Sequence, residues 1–247
     1  MIIGLGLGAM VLFVGLLIGG IGVGGVLLVP SLAYLGQIPL KEAIPASMLA
    51  YLATGIVGTV MYARMGSIDW HQLLRVIVGA LPGALLGAWL LPLVPGMALE
   101  VAIGLLVMLS GVHALFRKAE AETLAFQHGG STLVAIGFLV GIGSALTGTG
   151  GPLLLIPVLM WMNMPVFAAV GLAQAVQIPI ALSATFGNLT YGSVNIILGL
   201  CLGAILAVGA IAGAKIIHYC PKELVTRIVA GFLVAVGISI LSRLVLV

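Results

Sequence analysis

The sequence predicts an all-α polytopic membrane protein built from two inverted repeats, each opening with a Gly-broken re-entrant or hairpin segment followed by three transmembrane helices. Three observations carry this expectation. First, 62% of the 247 residues are hydrophobic and only 6% are charged, whereas soluble domains carry roughly a quarter charged residues. Nine Lys and Arg with six Asp and Glu cannot cover a soluble surface, so the bilayer is the main solvent. Second, apolar segments follow one another at 2–29, 44–63, 71–91, 97–116, 131–161, 167–189, 194–217 and 223–244. Most have about 20 residues, the length a helix needs to cross the hydrocarbon core. Third, landmarks recur at one fixed spacing.

That spacing sets the domain organisation. Gly66-Ser67-Ile68-Asp69 returns as Gly192-Ser193-Val194-Asn195, 126 residues later. At the same offset Gly83 and Gly87 match Gly209 and Gly213, Pro95 matches Pro221, and Gly111 matches Gly237. The glycine-rich breaks also correspond, Gly22-Val-Gly24-Gly25 through Pro30 with Gly148-Thr-Gly150-Gly151 through Pro157, with one extra residue in the second copy. Residues 1–116 form the first membrane repeat and 131–247 the second. The extended polar stretch at 117–130, which includes Arg117, Lys118, Glu120, Glu122 and His128, is a cytoplasmic linker.

Orientation follows from basic residues, which favour cytoplasmic loops. Arg64 and Arg75 flank one loop, Arg117 and Lys118 begin the linker, and Lys215, Lys222 and Arg227 flank the last loop. If each segment crossed once, the linker and last loop would face opposite sides. An even number of crossings by 131–161, and by symmetry 2–29, puts them on the same side. Each half then crosses an odd number of times, so the halves are inverted, an arrangement common in secondary transporters. Both termini would lie outside; Arg243 near the end counts against that placement. The first residues, lacking a basic region or cleavage site, read as the start of the first segment.

Composition also excludes classes. No Lys/Arg cluster is interleaved with aromatics, so no nucleic-acid partner is expected. Cys201 and Cys220 have no redox or metal spacing, and neither do His71, His113, His128 and His218. There is no G-x-S-x-G elbow and no H-E-x-x-H, so the chain is not expected to be an enzyme and no cofactor or metal is implied. Lys41 and Glu42 read as interfacial, as does His113, which alternatively couples protons. Asp69 and Asn195 suit helix N-caps.

The candidate substrate site lies at the two breaks. Irregular backbone at membrane depth is tolerated where it is buried in protein or lines a cavity. A helix restarting after such a break points free N–H groups at the gap. Gly24 and Gly25, with Thr149, Gly150 and Gly151, are therefore candidate binding residues. Ser47, Tyr51 and Thr54 share one helical face, and Gln174, Gln177, Thr185 and Asn188 occupy the corresponding region of the second half. These side chains either hydrogen-bond an oxyanion or tie helices together. Ser144, Thr147 and Thr149 either donate hydroxyls at the second break or cap a helix.

Through the first break, Ala43 to Ser47, Tyr62 before Gly66-Ser-Ile-Asp69, the small-residue helix from Gly79 to Gly87, and the second-half set (Gly148 to Pro157, Gly171 to Gln177, Asn188, Gly192 to Asn195, Gly209 to Gly213), the sequence resembles the sulfite exporter TauE/SafE family over nearly its whole length. The resemblance implies a multi-pass permease of the prokaryotic inner membrane that moves sulfite, sulfonates or related sulfur-containing organic anions, often outward. One departure is that Gln174 and Gln177 stand where the first half has Met48 and Tyr51, which makes the site asymmetric. The combined expectation is a secondary transporter working by alternating access, with a proton as a possible coupling ion and a homo-oligomer as a possible assembly. The alternative is a passive anion channel on the same scaffold.

Overall fold

The structure, a computed structural model, describes residues 2–90, 129–191 and 194–245, together with Leu105, Met108 and Val112. The segment expected at 97–116, with Pro95, Glu100, Gly111 and His113, lies outside the described residues apart from those three positions. So do residues 117–128 of the linker, and Gly192 and Ser193.

Every regular element among the described residues is helical. In order these are α1 (Ile2–Ile21), a 3₁₀ turn (Gly24–Leu27) leading into α2 (Leu28–Tyr34), α3 (Leu40–Arg64), α4 (Trp70–Leu90), α5 (Gly130–Thr147), α6 (Pro152–Trp161), α7 (Val166–Tyr191), α8 (Ile196–His218) and α9 (Lys222–Val245). One boundary differs from expectation. The apolar segment starts at 44, after the charged pair Lys41 and Glu42. The helix instead begins at Leu40, with Pro39 at its N-cap accepting the Glu42 and Ala43 N–H groups at 2.9 Å each. Pro45 is accommodated inside the helix, forgoing one hydrogen bond.

Five of these helices are long and apolar enough to cross a membrane: Glu42–Arg64, Trp70–Leu90, Gly130–Thr147, Val166–Thr190 and Ile196–His218. On α4 the two faces separate cleanly. Leu73, Val76, Gly79, Ala80, Gly83, Ala84, Gly87 and Ala88 are buried. Trp70, Leu74, Val78, Leu81, Leu85 and Trp89 are exposed, forming a lipid-facing stripe at helical spacing. At 1.5 Å per residue the two tryptophans stand about 28 Å apart, close to the thickness of the hydrocarbon core. Trp is favoured at both membrane interfaces.

Small residues bring the backbones together. In lipid no hydrophobic force joins helices, so close packing must. α4 packs on α5 and α1 on α8. A Cβ at Gly141 would lie 2.5 Å from the Ala80 carbonyl oxygen; one at Gly15 would lie 2.5 Å from that of Leu206. Both members of the second pair stand 126 residues from those of the first. The same holds for Gly83 against Phe138 and Gly209 against Leu12, and for Gly87 against Ile142 and Gly213 against Leu16.

α3 and α7 cross at the centre. Gly55 meets Ile178, Gly58 meets Gln174 and Tyr62 meets Gly171, so the two helices run antiparallel. Gly199 meets Ala46 and Gly203 meets Ala50, so α8 runs parallel to α3.

The two expected caps are present. Asp69 Oδ1 accepts the His71 and Gln72 N–H groups at 2.9 and 3.2 Å, and Asn195 Oδ1 accepts that of Leu198 at 3.0 Å. Asn195 Nδ2 also donates to Glu42 Oε1 at 2.5 Å, tying the start of α8 to the start of α3. Asn195→Ala is expected to lower stability by about 1 kcal/mol, the usual cost of a lost N-cap. Asp69→Ala should match it. Thermal unfolding in detergent measures both.

Candidate functional site at the two glycine breaks

α1 and α5 end the same way. Gly22 follows α1 at φ 77° and Gly148 follows α5 at φ 69°, a left-handed conformation that glycine adopts without penalty. The Gly22 N–H donates to Ile18 O at 2.9 Å, and the Gly148 N–H to Ser144 O at 3.0 Å. After each break the chain doubles back. Gly24 packs onto Val14 and Leu17 of α1, and the α6 residue Leu154 packs onto Gly143 of α5.

The two breaks meet each other inside the bundle. A Cβ at Gly25 would lie 2.9 Å from the Thr149 carbonyl oxygen, so no larger residue fits without displacing backbone. Tyr51 of α3 sits between them, fully buried. Its hydroxyl donates to Gly25 O at 2.7 Å, while its ring carbon Cδ2 lies 2.8 Å from where a Cβ at Gly150 would project. Gly150 and Gly151 have φ of 82° and 108°. Gly24, Gly25, Tyr51, Thr149, Gly150 and Gly151 therefore come from distant parts of the chain to one place.

A belt of polar side chains surrounds this meeting point. Gln177 Nε2 donates to Thr54 Oγ1 at 3.0 Å, and Thr54 in turn donates to Tyr51 O at 3.1 Å. Gln174 Nε2 donates to Ile18 O, and its side-chain oxygen lies against Gly58. Tyr62 OH donates to Gly20 O at 2.7 Å. The last carbonyls of α1 are thus satisfied by side chains of α3 and α7 rather than left open. Thr147 donates to Gly143 O at 2.7 Å and lies 2.9 Å from the Thr149 hydroxyl. Several buried polar atoms have no protein partner: Ser47 Oγ, Ser144 Oγ, Gln174 Oε1, Gln177 Oε1 and Thr185 Oγ1. Native proteins leave few such atoms, and each asks for an explanation.

Not every candidate falls at the centre. Asn188 is half-buried three turns beyond Gln177, next to Gly187, which packs on Ala88. Two participants escaped the sequence reading. Gly58 makes room for Gln174, and Tyr62 was noted only as a landmark. A small residue one turn beyond Thr54 on the same face was the available signal for Gly58. Tyr62 carried no signal, because its partners lie more than forty positions away.

A bundle of membrane-length helices with two inward-facing backbone breaks and a buried polar belt defines a polytopic membrane protein of the transporter class. The chain matches the sulfite exporter TauE/SafE family over residues 7–240 and belongs to it. It is 25% identical to "Probable membrane transporter protein YunE" of Bacillus subtilis, over 88% of this chain and 89% of that protein. It is 29% identical to "Probable membrane transporter protein YdhB" of the same organism, over 84% of this chain and 88% of that one. A "Probable membrane transporter protein" of Xylella fastidiosa is 34% identical over 40% of this chain and 38% of its own length. No solved structure matches the chain at a significant level. The protein is a multi-pass membrane transporter of the TauE/SafE type.

Proposed function

We propose that the protein is a secondary transporter, working outward, for small sulfur-containing anions such as sulfite or organosulfonates, in the prokaryotic inner membrane. The observation that carries this reading is the meeting of the two breaks around Tyr51 in the bundle interior, with the buried hydroxyls of Ser47, Ser144 and Thr185 without protein partners. Such a place offers an anion neutral hydroxyl donors and the N-terminus of α6. It binds without the tight grip of a fixed countercharge, which suits a carrier that must release its cargo.

We further propose that residues 1–116 and 131–247 are inverted copies that rock against each other to give alternating access. The antiparallel run of α3 and α7, which are equivalent at the 126-residue offset, supports this, as do the packing pairs that recur at that offset.

The test is flux of sulfite and a short panel of sulfonates in proteoliposomes, with and without a proton gradient. Saturable flux that trans-side substrate accelerates is expected; conductance far above carrier turnover would point to a channel instead. Gln177→Ala is expected to lower flux about tenfold while folded yield holds, since its Nε2 carries two N–H donors, one of them given to Thr54 in a bond worth about 1 kcal/mol. Unchanged kinetics would remove Gln177 from the site.

A further inference from the structure

The two hairpin tips sit against matching walls at opposite ends of the α3–α7 crossing. At one end α3 finishes and α7 begins. Tyr62, two residues before Arg64, packs there with Ile68 on Gly171. The tip of the first hairpin lies at this end. A Cβ at Gly22 would meet Ile156 Cδ1 of α6 and lie 3.3 Å from Val170 Cγ1 of α7. At the other end α3 begins and α7 finishes, and the tip of the second hairpin lies there. A Cβ at Gly148 would lie 3.1 Å from Ile44 Cγ2 of α3 and 3.5 Å from Val29 Cγ2 of α2. Gly22 corresponds to Gly148, and Ile44 to Val170, at the 126-residue offset. Val29 corresponds to Ile156 once the extra residue of the second break is counted. Each tip therefore fills the space between one end of the crossing and the return arm of the opposite hairpin.

What holds the two tips differs. The first is hydrogen-bonded to its wall. Tyr62 OH donates to Gly20 O at 2.7 Å and Gln174 Nε2 donates to Ile18 O, so both side chains engage carbonyls in the last turn of α1. Tyr62 and Gln174 are both fully buried. The hydrogen bonds of the second tip stay within its own hairpin, from the Gly148 N–H to Ser144 O and from Thr147 to Gly143 O. Its wall meets it through Ile44 and Val29, by apolar contact. The wall positions equivalent to Gln174 and Tyr62 are Met48 and Asn188. Met48 has no proton to donate. Asn188 is half-buried and reaches less far than a tyrosine. Among the described residues, no side chain of α3 or α7 donates to residues 144–151.

This asymmetry has a direction. A buried carbonyl deprived of its donor is costly, so the first tip leaves its wall only at the expense of two such bonds. The second tip leaves without giving up any hydrogen bond to its wall.

We infer that the hairpin tips are the two gates of the pathway, that Tyr62 and Gln174 latch the gate at the Arg64 end, and that the unlatched gate at the Ile44 end opens more readily. This rests on the alternating-access reading above and deepens it. At rest the interior communicates with the Ile44 end, and Tyr62 and Gln174 must release before it communicates with the Arg64 end.

Single cysteines at the two equivalent wall positions test this. Val170→Cys reports the first gate and Ile44→Cys the second, each in a background carrying Cys201→Ser and Cys220→Ser. The protein is reconstituted in liposomes, a membrane-impermeant maleimide is supplied to both faces, and labelling is followed by mass. Val170→Cys should label about tenfold more slowly than Ile44→Cys, the population difference that one buried hydrogen bond supports. Adding Tyr62→Phe keeps the ring on Gly171 but removes the donor to Gly20 O. It should speed labelling of Val170→Cys about tenfold, by shifting the balance between closed and open gate, and leave Ile44→Cys no faster. Gln174→Met gives the first wall the residue that the second has at Met48. It should act in the same way, and it carries the test if Tyr62→Phe folds poorly. Labelling of Val170→Cys as fast as that of Ile44→Cys before either wall change would overturn the inference. So would unchanged labelling of Val170→Cys in both wall variants. An equal rise at both cysteines would also overturn it, because a purely structural tie loosens the whole bundle when it is cut. The readout needs no substrate. Absence of sulfite and methanesulfonate flux would therefore remove the sulfur-anion reading and leave the gates standing.

Discussion

Gly83→Leu is expected to abolish the folded bundle, and Gly209→Leu to do so equally. At Gly83 any side chain would enter the backbone of Phe138 on α5, with its carbonyl carbon only 2.9 Å away. At Gly209 the obstacle is the backbone of Leu12 and Leu16 on α1, with Leu16 N at 2.8 Å. Overfilling a core of yielding side chains costs about 1–3 kcal/mol. Here two helix backbones must separate, and the packing along both helices goes with them. A loss above about 3 kcal/mol is a large share of the stability of a typical domain. Gly8→Leu and Gly231→Leu are the controls, since no atom lies within 4 Å of a Cβ at either position. Monodisperse yield by gel filtration and the unfolding midpoint in detergent give the readout. Equal losses at 83 and 209, with silent controls, are the expected result. A bundle that tolerates one and not the other would mean that the two interfaces are not energetic equivalents.

That pair also marks how far the sequence could be read. Gly83 and Gly209 stand out as equivalent because spacing alone reveals a repeat, and the apolar segments at 71–91 and 194–217 sit within two residues of α4 and α8. Whose backbone each glycine admits was not legible, because a small-residue face states only that something approaches. The start of α3 lies four residues before the apolar segment, because hydropathy stops at the charged Lys41 and Glu42 while the helix start depends on Pro39 offering its carbonyl to two N–H groups. At the site, Gly22, Gly148, Gly150 and Gly151 were legible as breaks, and all four have positive φ. Tyr51 was legible as a polar residue on one face of a helix. Its bond to Gly25 was not, since it depends on the chain doubling back after Gly22. For Gln174 and Gln177 the alternatives of site and interhelical tie rest on which end of each amide is engaged. The nitrogen of Gln174 is committed to α1 and that of Gln177 to α3, while the oxygens are left without protein partners. No periodicity encodes that division.

Tyr51→Phe is expected to lower transport about tenfold and to lower the unfolding midpoint only slightly. The ring remains, so the packing against Gly150 is kept and no large cavity opens. What is lost is the donor to Gly25 O, a buried carbonyl on the first break. An unsatisfied buried acceptor costs about 1–3 kcal/mol in any state where the bond had been made. If both breaks kept their present contact through the whole cycle, that cost would appear as stability alone and flux would not change. Under the proposed alternating access the two breaks would move relative to each other, and Tyr51 touches both. The bond is then present in some states and absent in others, so its removal shifts their balance, and each 1.4 kcal/mol of shift is about tenfold in population. Tyr51→Ala should be far worse, because deleting a buried aromatic ring costs about 3–5 kcal/mol and empties the space between the breaks. Initial flux of methanesulfonate and thermal unfolding, measured on the same preparations, separate the two cases. Wild-type flux in Tyr51→Phe with a lowered midpoint would make Tyr51 a structural tie between fixed breaks. A tenfold loss of flux at near-normal stability would make it part of the moving element, because only a bond that opens and closes during turnover can be felt in the rate without being felt equally in the fold.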